Sequence, residues 1–120
     1  MQKVTVAEKL ARITDVWHPR IVAELNGQHV KLVRIKGPFV WHHHEHEDEL
    51  FFVVRGRMRL ELQGQDPIEL GPGELVVVPR GVEHRPVALD EAELMLFEPA
   101  STVNTGEVRD ERTHLTLERM

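Results

Sequence analysis

Turn-forming residues cut the chain into short apolar runs, and this spacing constrains the fold more than any other feature. Gly or Pro stands at most breaks between Gly37 and Pro99, and the runs between them are rich in β-branched and aromatic residues, as strands are. Asn26-Gly27 separates two earlier runs and favours the positive φ angles of a tight hairpin turn. The pattern predicts an all-β sandwich or barrel built from hairpins. The predicted strands are residues 21–25, 29–35, 39–44, 49–55, 57–63, 68–70, 75–78, 83–87 and 93–97.

Two of the predicted strands differ in how many of their faces must be buried. Residues 57–63 alternate strictly between polar and apolar side chains, as in a strand with one face in water and the other buried. Residues 50–54 read Leu-Phe-Phe-Val-Val, so their outer face needs cover from another sheet or from a second subunit. Because a small barrel also has little room to pack the segments that flank it, this pattern predicts a homodimer.

The chain divides into three predicted segments. Residues 1–20 form an N-terminal arm, in which the composition around Ala7 to Ala11 favours a short helix and Pro19 closes the segment. Residues 21–99 form the β-barrel. Residues 100–120 form a C-terminal tail that is polar and rich in charge and threonine. The tail is expected either to be disordered or to pack on the barrel or on a partner subunit.

Composition excludes several classes of function. The 120 residues are 41% hydrophobic and 29% charged, which suits one globular domain. The formal net charge is -5 and no run of Lys or Arg is present, so nucleic acid is not an expected partner. The first residues lack the apolar core of a signal peptide, and no stretch approaches the roughly 20 apolar residues of a membrane helix. We therefore predict a cytoplasmic protein with no membrane partner.

Histidine is the residue type that points to a metal site in this chain. The sequence has eight histidines and no cysteine, which excludes disulfides, thiolate sites and cysteine nucleophiles. His42 and His44 are two positions apart, so in a strand both side chains point to one face, about 6 to 7 Å from each other, and can share one ion. Glu49 opens the next run and can add a carboxylate oxygen. A barrel built from hairpins can bring His84 opposite these three residues.

These residues resemble the two sequence motifs of the cupin superfamily. Four residues separate His44 from Glu49 and six separate Glu49 from the following glycine, as in the family. Two departures are present: the first glycine stands one residue closer to His42 than the family pattern has it, and Ala88 replaces the closing asparagine. Neither departure removes a ligand. The first motif comprises Gly37, His42, His44, Glu49 and Gly56, and the second comprises Gly73, Pro79, Gly81 and His84.

The resemblance implies a single double-stranded β-helix, the cupin jelly-roll barrel, with a metal site made by His42, His44, Glu49 and His84. A register shifted to His44 and His46 leaves only two residues before Glu49, too few for the turn of the family. The short spacing between the motifs is similar to that of compact single-barrel members, among them the mannose-6-phosphate isomerase-like cupins.

A site of three imidazoles and one carboxylate suits one divalent transition metal, Fe, Mn, Ni, Cu or Zn, and argues against calcium or magnesium. One or two coordination positions would stay open for a small-molecule ligand. The resemblance therefore implies a metal-dependent enzyme acting on a small polar organic substrate, of the dioxygenase or the sugar or keto-enol isomerase type. The alternatives are a non-catalytic cupin that binds or senses a small molecule, and a purely structural metal. No catalytic acid or base beyond the ligands is evident in the sequence. Phe51 and Val53 are candidates for the cavity wall, because they share the strand face of Glu49.

Overall fold

The computed structural model describes all residues, 1–120, as one helix and seven strands. Most of these elements follow the turn pattern of the sequence, because glycine or proline lies in most of the turns between strands, although Pro67 and Pro86 each lie inside a strand. Every pair of neighbouring strands is antiparallel. The elements are α1 (Val6–Ala11), β1 (Arg20–Leu25), β2 (Gln28–Pro38), β3 (Glu49–Arg55), β4 (Met58–Leu62), β5 (Gln65–Leu70), β6 (Leu75–Val78) and β7 (His84–Pro99).

The turn between β1 and β2 has the conformation that its sequence predicts. Asn26 has a φ of 49° and Gly27 a φ of 77°, which are the two positive values of a tight hairpin turn that matches the twist of the strands. The pairing of Leu25 with Gln28 across this turn sets the register of the hairpin. The predicted hairpin is therefore confirmed.

The long strand β7 joins the two faces of the barrel. Its first part pairs with β4 and its second part with β3, while β2 runs beside both parts. We predicted two strands here, residues 83–87 and 93–97, and that prediction is wrong. No glycine or proline lies between Val87 and Glu98, so nothing stops the strand. Register shifts in β2, between Ile35 and Gly37, and in β3, between Val53 and Arg55, absorb the bend.

The predicted strand at residues 39–44 is also wrong. This segment makes only one isolated bridge, between His42 and His84, with backbone hydrogen bonds of 3.0 and 2.8 Å in the two directions. Phe39 donates its backbone N–H to Pro86 O at 3.0 Å. Pro86 has no N–H to donate in return, so one hydrogen bond of a regular ladder is missing at this point and the segment keeps only the isolated bridge.

The barrel interior holds the main apolar core, a cluster of 15 buried residues that includes Val53, Leu60 and Leu94. A second cluster lies outside the barrel, where Leu10 and Ile13 of the arm pack on the sheet. This arm covers part of the outer face that the sequence left apolar. The barrel and its covered sheet agree with the all-β jelly roll that the sequence predicts.

The C-terminal tail lies along the barrel. Ile21 N–H donates to Glu118 O, and Met120 N–H donates to Ile21 O, both at 2.9 Å. Nearer the loop that carries the first histidines, Arg112 donates to Pro38 O at 3.1 Å, and the α-carbon of Gly106 lies so close to His43 O that an added Cβ would collide with it. The tail therefore contacts the start and the middle of the segment between β2 and β3. No helix of the chain combines the length and the apolar character that a membrane crossing requires.

Candidate metal centre

Four side chains from three parts of the chain converge inside the barrel. His42, His44, Glu49 and His84 each offer a ligand atom, and these atoms all lie within 4.8 Å of one another. The exposed fractions of the four residues are 3%, 4%, 4% and 0%. The structure thus brings together all four residues that the sequence nominated as metal ligands.

Each residue is positioned by a different backbone feature. Glu49 is the first residue of β3 and His84 the first of β7. His42 is fixed by its bridge to His84, and His44 O accepts a hydrogen bond from Gly81 N–H at 2.8 Å. Backbone hydrogen bonds therefore join the two motif segments, and this pairing brings their histidine side chains close together.

The outer ring nitrogens of two histidines are already engaged. His42 Nδ1 lies 2.9 Å from Val40 O and His84 Nδ1 lies 2.8 Å from Val82 O. Each Nδ1 must carry a hydrogen to donate to a carbonyl, so in the neutral ring the lone pair is on Nε2. Hydrogen bonds of this kind orient metal-binding histidines and fix their tautomer.

Two of the distances between ligand atoms fall in the range that a shared ion imposes. Two ligands about 2.1 Å from one ion, at angles between octahedral and tetrahedral values, lie about 3.0 to 3.4 Å apart. Glu49 Oε1 is 3.2 Å from His84 Nε2 and 3.4 Å from His44 Nε2. His44 Nε2 is buried without any hydrogen-bond partner, a costly state for a polar atom unless a ligand satisfies it. The residues present therefore fit a metal ion.

The electrostatics of His42 and Glu49 favour the protonation states that a metal needs, whereas those of His84 favour the protonated ring until an ion replaces the proton. Burial, together with the charge of His84, lowers the pKa of His42 to about 4. Burial alone would raise the pKa of Glu49, but the neighbouring imidazoles of His44 and His84 hold it well below its ordinary value. At neutral pH, His42 is thus neutral and Glu49 ionised, as metal ligands must be. For His84, burial lowers the pKa, but the hydrogen bond and charge of Glu49 outweigh it and raise it.

The neighbouring histidines are not part of this cluster. His43 points away, with Nδ1 2.8 Å from Glu83 and Nε2 2.6 Å from Glu45. His46 is exposed. The geometry therefore supports the pair His42 and His44 over the shifted pair His44 and His46.

A small cavity of about 40 Å³ lies beside the cluster and is lined by two of its members, His42 and Glu49. Phe51, which the sequence nominated for the wall, lines it, whereas Val53 is packed in the core and does not. Such a volume holds about three water-sized groups. The apolar part of the wall includes Trp17, Val33, Phe39, Phe51, Leu94 and Leu96.

Two charged residues on the cavity wall were missed by the sequence analysis. Lys31 Nζ lies 3.0 Å from Glu98 Oε2, and the side chains are 2% and 1% exposed. Burial raises the pKa of Glu98 well above its ordinary value, the negative charge of Glu49 acts in the same direction, and Lys31 only partly offsets them. The alternation of side chains along the two strands could have revealed these residues. Lys31 shares the inner face of β2 with Val33, and Glu98 shares the inner face of β7 with Leu96.

The comparisons with known proteins agree with this architecture. The family model "Cupin domain" matches residues 31–98, more than half of the chain. Among solved structures, a cupin-2 domain protein from Shewanella frigidimarina NCIMB 400 has a TM-score of 0.78 and 40% sequence identity, covering 80% of this chain and 93% of that one.

Two curated proteins from Bacillus subtilis (strain 168) are also similar. The uncharacterized protein YdbB is 31% identical over 64 residues, which are 53% of this chain and 57% of that protein. An acireductone dioxygenase is 34% identical over 67 residues, which are 52% of this chain and 38% of the dioxygenase. The chain thus spans little more than half of the first relative and well under half of the second.

A place in the mannose-6-phosphate isomerase-like group stays a prediction. The family match, the jelly-roll fold and the two motifs together show that the chain belongs to the cupin superfamily.

Proposed function

We propose that this cupin is a metal-dependent enzyme that acts on a small oxygen-bearing organic substrate, with dioxygenase chemistry as the first candidate. The observation that carries the proposal is the convergence of three imidazoles and one carboxylate beside a cavity. The similarity to an acireductone dioxygenase supports the choice of reaction class. Catalysis, substrate and metal all belong to the proposal.

Three neutral imidazoles and one carboxylate leave a divalent ion with a net charge near +1 and open positions for a ligand. When bound, such an ion supplies Lewis acidity and, if it is redox-active, dioxygen chemistry. Iron, manganese, nickel, copper and zinc all suit the ligand set. His42, His44, Glu49 and His84 would hold the ion, while Phe51 and its apolar neighbours exclude bulk water from the substrate.

The size of the cavity favours a small aliphatic substrate over an aromatic one. An enclosed site for a benzene ring needs roughly 150 Å³, whereas this cavity measures about 40 Å³. A hydroxyketone, an enediol or a hydroxy acid of a few heavy atoms therefore suits it better than a catechol does.

We expect the protein to take up one transition-metal ion per chain, and the iron(II)-loaded form to consume oxygen with small hydroxyketones or enediols. Elemental analysis measures the first result and an oxygen electrode the second. Removal of the ion with a chelator should abolish the uptake and leave the circular dichroism of the barrel intact, because 15 apolar residues form the core without it. Unfolding on chelation would instead support a purely structural metal.

A non-catalytic binding or sensing cupin is the second candidate function. It is favoured by the Lys31–Glu98 pair, because these are the charged side chains on the cavity wall beyond the candidate ligands, and they lie 3.0 Å from each other. A loaded protein that binds a small hydroxy acid, yet neither consumes oxygen nor interconverts a hydroxyaldehyde with a hydroxyketone, would support this candidate. Interconversion without oxygen uptake would support the isomerase type.

We also propose that the chain forms a homodimer through the outer face of β3 and β6. Leu75 and Val77 of β6 are 57% and 50% exposed, and they pair with Phe52 and Leu50 of β3. β6 ends the strand order β1-β2-β7-β3-β6, so this apolar surface lies at a sheet edge, where a second copy would cover it.

Light scattering should give twice the chain mass of 13.9 kDa at micromolar concentration. The double variant L75K/V77K should give the single mass, because two charges in an apolar interface cannot be desolvated cheaply. Leu89→Lys is the matched control, since Leu89 is 86% exposed on the bend of β7 and its replacement should leave the dimer intact. A monomeric wild-type protein would contradict the proposal.

A further inference from the structure

The Lys31–Glu98 pair lies in an unusual place for an ion pair. Both side chains are almost fully buried, and both line the same cavity as His42 and Glu49. Desolvation of two charges offsets most of their attraction, so apolar residues of similar size would stabilise the barrel about as well. Stability alone therefore does not explain why a lysine and a glutamate occupy inward positions here.

The hydrogen-bonding capacity of the Lys31–Glu98 pair is not fully used by the protein. The one side-chain hydrogen bond of Lys31 Nζ goes to Glu98 Oε2, whereas an ammonium group has three hydrogens to donate. Glu98 Oε1 is buried without a partner in hydrogen-bond geometry, and the neighbouring carboxylate of Glu49 raises the pKa of Glu98. The Lys31 ammonium group thus keeps hydrogens to donate on the wall of a cavity that has room for a ligand.

The neighbouring residues restrict what that ligand can be. Most of the remaining wall is apolar, including Phe51 and Leu96, and offers little to satisfy a charged oxygen. Lys31 is the cationic side chain on this wall. A ligand oxygen that carries negative charge and lies away from the ion would therefore find its partner at Lys31.

We propose that Lys31 selects substrates with an anionic oxygen, so that this site takes a small hydroxy acid or oxo acid, and that Glu98 is the positioning residue that holds the Lys31 ammonium group. This inference rests on the proposed function, because the ligand is bound to the ion through its other oxygens. No covalent step is involved. The inference concerns recognition alone.

Glycolate and hydroxyacetone form a matched pair of probes for this inference. Both present a hydroxyl group next to a carbonyl carbon, and they differ only where glycolate has a charged oxygen and hydroxyacetone has a methyl group. The visible absorption spectrum of the cobalt(II)-loaded protein reports the binding of either probe without any turnover. The ratio of the two dissociation constants measures selectivity for the anionic oxygen.

The double variant K31M/E98Q removes the charges and keeps the side-chain sizes. Because hydrogen bonds to charged groups contribute about 1.5 to 3 kcal/mol, glycolate should bind to it about tenfold to a hundredfold more weakly than to the wild-type protein. Binding of hydroxyacetone should stay within about twofold. The variant K31M/E98L serves as a second, fully apolar replacement, and both variants should bind cobalt(II) as the wild-type protein does.

Two failures are distinguishable. If the wild-type protein takes up no cobalt(II), the proposed function is wrong and this inference falls with it. If cobalt(II) binds but the two probes weaken equally in the variants, or neither weakens, only the role of Lys31 is overturned. A loss confined to glycolate cannot come from a general loosening of the barrel, because hydroxyacetone occupies the same space.

Discussion

Replacement of His84 by alanine is expected to weaken metal binding by more than about 100-fold. Loss of a residue that only supports a ligand typically costs 10- to 100-fold, and His84 would be a ligand itself. It is the most deeply buried of the four residues, with 0% exposure, so water cannot easily replace its nitrogen. Calorimetric titration with zinc or cobalt(II), with circular dichroism to verify folding, measures the effect.

His46→Ala is the matched control for this prediction. His46 lies in the same histidine-rich loop, is exposed and stands outside the four-residue cluster, so its replacement should leave the affinity unchanged. The control also tests the shifted register, in which His44 and His46 would be the ligands. Loss of the metal in His46→Ala and its retention in His84→Ala would contradict the assignment of the site.

Gly56→Ala is expected to lower the free energy of unfolding by about 2 to 4 kcal/mol. Gly56 has a φ of 84°, and a Cβ at this position would lie 2.7 Å from Glu91 O and 2.9 Å from the α-carbon of Ala92. The positive φ costs about 1 to 2 kcal/mol for a residue with a side chain, and the contact with backbone adds the rest. Denaturant unfolding measures the change, and the melting temperature should fall by roughly 10 °C.

Gly64→Ala separates the two causes. Gly64 has nearly the same φ, 81°, but no atom lies within 4 Å of an added Cβ. Its replacement should therefore lower the free energy of unfolding only by the contribution of the positive φ angle. Equal losses of unfolding free energy in both variants would show that the backbone of β7 does not clash with a Cβ at position 56. The motif glycine would then be explained by its turn conformation alone.

Local sequence patterns predicted the parts of the fold that depend on local chemistry. Asn26-Gly27 determines its own turn, and the spacing of His42, His44 and Glu49 contains most of the geometry of the site. The ends of β1, β3, β4 and β5 were predicted to within one residue, whereas β2 extends through Gly37 to Pro38 and β5 begins before Pro67, where the sequence predicted breaks. These features need only a few neighbouring residues to be recognised.

The errors have non-local causes. The strand predicted at residues 39–44 is interrupted because its neighbour across the sheet is Pro86, and no pattern within the segment reveals that neighbour. β7 was divided in two because Asp90 and Glu91 are polar, although a bent strand with an exposed corner accommodates them. Lys31 and Glu98 were missed because they are 67 residues apart and each looks like an ordinary solvated charge. Only the register of β2 against β7 brings them together.

The continuity of β7 also limits how this barrel can be redesigned. His84 begins the strand and Glu98 lies near its end, and both point inward. Alternation couples their orientations, so insertion of a single residue between them would turn one of the two outward unless a bulge absorbed it. Grafts and length variants are therefore better placed at the Gly64 turn, because β7 fixes the distance and relative orientation of His84 in the ligand cluster and Glu98 on the cavity wall.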